Sequence, residues 1–335
     1  MRETANHGFS SAVPGTGNSK WRTMMHPSQY SWVWLATIVI FLVSYVVAPG
    51  TLRSASINSM LPFASMLAVV AIGQTLVVQQ RGIDMSAAGM FSLGGVLVSV
   101  LYTQGLPIVP ALLATLAVAF LFGVVNGVLC VYVNIAPIVT TLATNALMIS
   151  IVRWLSSGTP VEAPPELRAL SVGRLAGLPP SLLLAVMAVA VLAVLTSRTI
   201  FGRRFVAVGV NPTAAEIAGI STSFYQISAY AIAAICFALG GIMLASFIGS
   251  ATHSAGNDYL LPSVAAVVIG GTSLAGGRGS VVASAIAALF ITQLGQMVLS
   301  MGASSATQLL VQAGVILAAT SVSRVPKLLS VMVRR

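Results

Sequence analysis

The stretch TSRTIFGRRFVAVGVNPTAAEIAGIS, residues 196–221, interrupts a chain that is otherwise mostly apolar. It carries three arginines and one of the six acidic residues of the protein, and long apolar runs lie on both sides of it. Because charge is unfavourable in the hydrocarbon core of a bilayer, the stretch cannot cross a membrane, whereas the runs beside it can. This alternation predicts a polytopic membrane protein.

The composition supports the same class. Of the 335 residues, 57% are hydrophobic and only 7% are charged, whereas a soluble domain carries about 25% charged residues. A soluble protein with so few charges could not cover its surface. The net charge of +10 first suggests nucleic acid, but the basic residues are scattered between the apolar runs and form no stripe or cluster. We therefore expect no nucleic-acid partner, and we take the basic residues as markers of the cytoplasmic side.

Apolar runs long enough to cross a bilayer, which takes about 20 residues, predict an all-α fold of about ten transmembrane helices within a domain over 31–322. The runs lie near 31–48, 59–80, 85–103, 108–131, 137–155, 180–197, 225–249, 259–275, 281–301 and 305–322. If all ten cross and the N-terminus is cytoplasmic, twelve of the sixteen Lys and Arg residues lie inside. That asymmetry favours both termini in the cytoplasm.

The polar segments complete the domain plan. The longest connections are an external loop over 156–179 and a cytoplasmic loop over 198–224. A polar cytoplasmic tail over 1–30 is expected to be disordered, and a basic cytoplasmic tail covers 323–335. Small residues one turn apart, such as Gly123 with Gly127, predict helices packed closely in lipid.

Catalytic groups are scarce. The six acidic residues and three histidines form no pair or triad of catalytic spacing, and the two cysteines lie in apolar runs without metal-ligand spacing. The segment from Gly271 to Arg278 approaches a phosphate-binding loop but lacks the lysine that reaches the phosphates. We expect no cofactor, no metal site and no nucleotide hydrolysis by this chain itself.

Neutral polar side chains inside the apolar runs have two interpretations. They could form hydrogen bonds between helices, or they could line a pathway for an uncharged polar solute. Asp84 adds a third role, because it could cap the helix that begins at Met85, with Arg81 one turn away. The pathway candidates are Gln74, Asp84, Asn126, Thr140, Thr141, Thr144 and Asn145.

A short capped helix is predicted within the cytoplasmic loop. Asn211 suits the N-cap, Pro212 the first helical position and Gly219 the stop. Such a helix between two spanning helices is a rigid knob, and composition alone leaves it open whether the knob is a docking element or an ordinary ordered loop.

Four stretches resemble the permease subunits of bacterial ATP-binding-cassette importers for simple sugars, the group with ribose, xylose and galactose permeases. They are AIGQTLVVQQRGIDMSAAG (71–89), NGVLCVYVNIAPIVTTLATNAL (126–147), the segment from FGRRFVAVG through AAEIAGI (201–220) and VAAVVIGGTSLAGGRGS (264–280). The last contains the most specific family motif. Its residues are Gly270, Gly271, Thr272, Ser273, Gly276, Gly277, Arg278 and Gly279.

The resemblance implies a role for the knob as a coupling helix that docks on a separate ATPase subunit. Ala214, Ala215 and Gly219 match the family pattern, and Asn211 and Glu216 lie in the same helix. It also implies a second permease chain, a solute-binding protein that contacts the loop 156–179, a multi-pass location in the bacterial cytoplasmic (inner) membrane, and a small neutral solute, a monosaccharide.

The sequence departs from the family pattern at three places. Arg81 stands where relatives commonly have glycine, and Thr213 stands where an acidic residue often opens the coupling pattern. Tyr259-Leu260-Leu261-Pro262 replaces the Tyr-Glu-Leu-Asp of many relatives, so two acidic residues are missing at the outer end of that helix.

Several alternatives stay open. Within the same architecture the substrate could be a branched-chain amino acid, a nucleoside or a furanose-like signalling molecule. From another class, an ion-coupled secondary transporter or channel would need an ionisable residue within the membrane, and Asp84 alone comes close.

Overall fold

A computed structural model of the chain describes residues 30–173, 177–315 and 317–318. The basic tail at 323–335 and all of the N-terminal tail except Tyr30 lie outside the described residues. The helices are α1 (Ser31–Val47), α2 (Ser54–Gln79), α3 (Ala87–Thr103), α4 (Ile108–Val131), α5 (Pro137–Ser156), α6 (Pro165–Val172), α7 (Pro180–Arg198), α8 (Ile200–Val210), α9 (Pro212–Ile217), α10 (Thr222–Ile248), α11 (Asn257–Ile269) and α12 (Val281–Ser300). A 3₁₀ turn covers Pro49–Leu52, and two short strands, β1 (Val161–Glu162) and β2 (Ser250–Ala251), pair antiparallel.

The predicted helical membrane fold is confirmed. Among the described residues, six helices are long and apolar enough to cross a bilayer: α2, α4, α5, α7, α10 and α12. The apolar helices α1, α3 and α11 are shorter. The last predicted run is helical over 305–315 and is described only in part beyond that.

The helices α2 and α10 form the centre of the bundle. Small residues allow close approach there, as the glycine spacing predicted. A Cβ added at Gly241 of α10 would overlap the carbonyl oxygen of Phe91, and one at Gly127 of α4 would lie 2.8 Å from the Cα of Ile227. By contrast, α4, α5 and α7 expose many large apolar side chains at their surface, as helices that face lipid do.

Two helices begin inside the bundle instead of at its ends. Residues 80–86 turn back alongside α2 before α3 begins, since Asp84 pairs with Gln74. Residues 249–256 pack against α3 and α10 before α11 begins. The start of α11 meets α3: the backbone N–H of Gly256 donates to Ser92 Oγ at 3.0 Å, and Gly256 packs against Ala88. The 13 residues of α11 span about 20 Å, short of the roughly 30 Å hydrocarbon core.

One predicted helix boundary was wrong, and two predicted loops contain additional elements. The eighth run was expected to continue to residue 275, but α11 stops at Ile269 because Gly271, with φ 79°, reverses the chain. The connection 156–179 contains β1 and α6, and the connection 198–224 contains α8 in addition to the predicted short helix. Helix α8, with 11 residues, is too short to register as a run of about 20 apolar residues.

Candidate functional site

Helix α9 confirms the predicted capped helix. The Asn211 side chain accepts a hydrogen bond from the backbone N–H of Ala214 at 3.1 Å, and Pro212 occupies the first helical position. Gly219 ends the element with φ 76°, a conformation that glycine adopts without steric conflict. Only one residue, Asn211, separates α8 from α9, so the two helices form a tight corner.

Helix α9 is mostly exposed and carries one large apolar side chain on its surface. Ala215 is 5% exposed and anchors the helix on the bundle. Ala214, Glu216 and Gly219 are exposed, and Ile217 is 85% exposed. The helix therefore presents a large apolar side chain at the tip of a rigid corner.

Three chain segments meet behind α9, and we call this contact the inner junction (residues 79–82, 209–211 and 276–279). The backbone N–H of Gly277 donates to the carbonyl oxygen of Gln79 at 2.8 Å. The Gln80 side chain donates to the carbonyl oxygen of Phe205 at 2.8 Å. A Cβ at Gly277 would lie 2.8 Å from the Cα of Val210. Backbone meets backbone in this junction, so its geometry is closely constrained.

The family motif lies in the loop between α11 and α12, and its glycines shape the inner junction. Gly271, Gly276 and Gly277 have positive φ. The loop closes on itself through a hydrogen bond from the N–H of Ser273 to the carbonyl oxygen of Arg278 at 2.8 Å. The remaining motif residues differ in exposure: Thr272 is buried, Arg278 is exposed, and Gly270 and Gly279 contact Ser284 and Gln79 respectively.

The pathway candidates gather around the start of α3. Asp84 Oδ1 accepts hydrogen bonds from the N–H of Ser86 at 2.8 Å and from its hydroxyl at 2.5 Å. The Gln74 amide lies 3.1 and 3.2 Å from the backbone N and O of Asp84, so it pairs with both in the orientation that matches donors to acceptors. Asn126 donates to Ser86 Oγ at 3.0 Å. The cluster therefore holds a chain segment that has left the helical hydrogen-bond pattern.

Helix α5 supplies the rest of this cluster. Thr141 Oγ1 accepts from the N–H of Met85 at 2.9 Å, and Asn145 Oδ1 accepts from the N–H of Gly89 at 2.7 Å. Thr144 bonds within its own helix, and Thr140 lies beside the Cys130 thiol. All seven candidates except Asn145 are buried within this single chain.

The predicted cap needs one correction. Helix α3 begins at Ala87 with Ser86 at the N-cap position, so Asp84 acts one step earlier by binding Ser86. Ser86 was not among the candidates, although its spacing of two residues from an aspartate is typical of such a turn.

The opposite end of the bundle carries a second contact, the outer junction (residues 161–171 and 246–251). Strand β1 pairs with β2, and the N–H of Ala163 donates to the carbonyl oxygen of Gly249 at 3.0 Å. The Ser246 hydroxyl donates to the carbonyl oxygen of Leu167 at 2.6 Å and also contacts Ser171. Helix α6 is thereby attached to the end of α10.

Comparison with known proteins assigns the chain to a family. A family profile described as the permease component of the branched-chain amino acid transport system matches residues 56–320. The chain belongs to this permease family. The permease is thus a multi-pass membrane transport subunit, as the fold indicates.

Named relatives refine the picture. The ribose import permease protein of Bacillus subtilis (strain 168) is 32% identical over 293 residues, which cover 87% of the permease and 91% of that relative. The autoinducer 2 import system permease protein of Escherichia coli (strain K12 / DH10B) is 33% identical over 261 residues, 78% of the permease and 76% of the relative. Its counterpart from Photorhabdus luminescens is 34% identical over 232 residues, 69% and 70% of the two chains. No solved structure matches the chain.

Proposed function

We propose that the permease is the membrane subunit of an ATP-driven importer that moves a small neutral solute of the sugar class across the bacterial inner membrane. The observation that carries this proposal is helix α9, which exposes 85% of Ile217 on a capped corner. In a transport permease, an apolar side chain on a short capped helix is suited to dock into a groove of another protein.

The partner that fits α9 is an ATPase subunit. The loop from Gly271 to Arg278 has no lysine for phosphates, and the family is one of transport permeases. In the proposal, Asn211, Ala214, Ala215, Glu216 and Gly219 form the docking helix, and a solute-binding protein contacts the outer junction. A second permease chain completes the pathway.

The two junctions support the way in which the proposed ten-helix topology distributes the loops between residues 79 and 279 over the two ends of the bundle. Residues 79–82, 209–211 and 276–279 were each expected on the cytoplasmic side, and they meet at one end of the bundle. Residues 161–171 and 246–251 were expected outside, and they meet at the other end. If one membrane crossing between these segments were missing, two segments of the same junction would lie on opposite sides of the membrane and could not meet.

The solute class rests on the relatives. Their names specify ribose and autoinducer 2, whereas the family description names branched-chain amino acids. We propose a monosaccharide-like solute because the relatives match more than two thirds of both chains. The pathway role of Gln74, Asp84, Asn126, Thr140, Thr141, Thr144 and Asn145 stays a prediction, which needs these side chains to become accessible during transport.

The test of docking compares two exposed isoleucines of the same cytoplasmic segment. Ile217→Ser alters the tip of α9, whereas Ile200→Ser alters a residue that is 60% exposed at the start of α8. Each tagged variant is purified in mild detergent, and the co-purifying protein is identified by mass and by its phosphate-binding loop. We expect an ATPase with the parent chain and with Ile200→Ser, and at least tenfold less with Ile217→Ser.

Transport then tests the solute class. The parent complex and its binding protein are placed in vesicles, and uptake of labelled ribose is measured with and without ATP, with leucine or adenosine as competitor. ATP-dependent ribose uptake that leucine does not inhibit would support the proposal. Inhibition by leucine would favour the amino-acid alternative, and uptake abolished by a proton ionophore without ATP would favour an ion-coupled transporter.

A further inference from the structure

Arg81 occupies a backbone position that suits glycine. It follows the end of α2, where the N–H of Arg81 bonds the carbonyl oxygen of Val78 at 2.9 Å and the N–H of Gly82 bonds that of Val77 at 3.0 Å. This pair of bonds is a Schellman motif, in which the left-handed residue is usually glycine. Arg81 adopts φ 66° there, a conformation that an L side chain adopts at a steric penalty.

The Arg81 side chain reaches the corner between α8 and α9. Its Nε donates to the carbonyl oxygen of Gly209 at 3.0 Å, and a terminal nitrogen donates to that of Val210 at 2.5 Å. These two carbonyls end α8, where the helix leaves its last acceptors without partners and carries partial negative charge. A guanidinium satisfies both with a charge-assisted, planar fork.

Arg81 therefore connects the end of α2 with the end of α8, two elements that are distant in sequence. On one side Asn211 alone separates its acceptors from α9. On the other side, Gly82 packs against Tyr230 and the chain continues into Asp84, which Gln74 of α2 holds. A displacement of α9 would pull on the segment that starts α3.

We propose that Arg81 is a positioning residue that transmits the movement of α9 to α2 and to the buried segment at the start of α3. This inference rests on the proposed function, because it needs an ATPase that moves α9. Without the guanidinium, the α8–α9 corner would still dock on the ATPase, but its movement would no longer be tied to residues 82–86.

The experiment measures solute imported per ATP hydrolysed by the complete complex in vesicles. Arg81→Met keeps the aliphatic stem and the backbone geometry but donates no hydrogen bond, and Arg81→Lys keeps the charge with a single donating nitrogen. Arg204→Met is the matched control. It removes an exposed arginine of α8 that forms no hydrogen bond or ion pair with the residues that the structure describes. We expect Arg81→Met to lower the ratio at least fivefold, Arg81→Lys to be intermediate, and Arg204→Met to stay within twofold of the parent.

The ratio separates transmission from simple stability. A purely structural role would reduce the amount of folded complex and lower import and hydrolysis together, which leaves their ratio unchanged and overturns the inference. ATPase co-purification is measured on the same samples, and we expect Arg81→Met to retain it. If the parent complex imports solute and Arg81→Met matches its ratio, this inference alone fails. If the parent chain binds no ATPase, the proposed function fails, and the role of Arg81 fails with it.

Discussion

The inner and outer junctions connect the ends of the same bundle in different ways. At the inner junction, backbones touch directly and glycines at 276 and 277 leave no room for a side chain. At the outer junction, backbone hydrogen bonds of a two-residue strand pair and serine hydroxyls hold the segments together, and there is room beside Gly249 for a side-chain carbon. Close packing of backbone against backbone transmits strain, whereas a Cβ added at Gly249 would meet only the flexible Arg168 guanidinium. Under the proposed function, the difference suits an inner end that an ATPase moves and an outer end that contacts a solute-binding protein.

The largest expected loss of solute uptake follows from replacing a glycine of the inner junction, with a glycine of the outer junction as the comparison. Gly277 and Gly249 both have positive φ, 77° and 89°, so alanine costs about 1–2 kcal/mol at either position. A Cβ at Gly277 also lies 2.9 Å from the backbone N of Val210, whereas at Gly249 its nearest neighbour is the flexible Arg168 guanidinium at 3.3 Å. Overpacking adds about 1–3 kcal/mol. We expect Gly277→Ala to lose uptake more than tenfold and Gly249→Ala to lose less than threefold.

Solute uptake is measured for both glycine variants and divided by the amount of each chain that is inserted in the membrane. Equal losses from the two variants would show that the inner junction is no stiffer than the outer one, and the contrast between the two ends would be abandoned.

An intermediate effect is expected from the cap of α9. Asn211→Ala removes the acceptor for the N–H of Ala214, and loss of an N-cap costs about 1 kcal/mol. We expect ATPase affinity to fall about fivefold, because a loss of about 1 kcal/mol is somewhat less than the roughly 1.4 kcal/mol that corresponds to a tenfold change. Asn211→Asp keeps an acceptor and should restore the affinity, which a titration with purified ATPase would measure. No rescue by aspartate would show that Asn211 acts by contact with the partner.

The smallest effect is expected at the outer junction. Ser246→Ala removes the hydrogen bond to the carbonyl oxygen of Leu167, and such a neutral bond contributes about 0.5–1.5 kcal/mol. We expect the melting temperature in detergent to change by a few degrees at most. The amount of solute imported per ATP hydrolysed should stay unchanged. Ser171→Ala, which affects only the neighbouring hydroxyl contact, serves as the control. A loss of coupling in Ser246→Ala would place mechanical transmission at both ends.

Much of the candidate site could be predicted from local patterns. Asn211, Pro212 and Gly219 marked α9 because a capped helix is specified by residues within one or two turns. The candidates Gln74, Asn126, Thr141 and Asn145 were recognisable as polar groups inside apolar runs. Their shared location around residues 84–89 was not recognisable, because it depends on three helices packing together.

The membrane class, the positions of the apolar helices and the capped α9 were determined by the sequence itself, since composition and residue spacing specify them locally. Only the tertiary structure decided that α3 and α11 begin inside the bundle, and that Arg81 binds the end of α8 across 128 and 129 residues of sequence. The reason is physical. Polar backbone groups of an interrupted helix must find partners, and which partners they find depends on how distant segments pack.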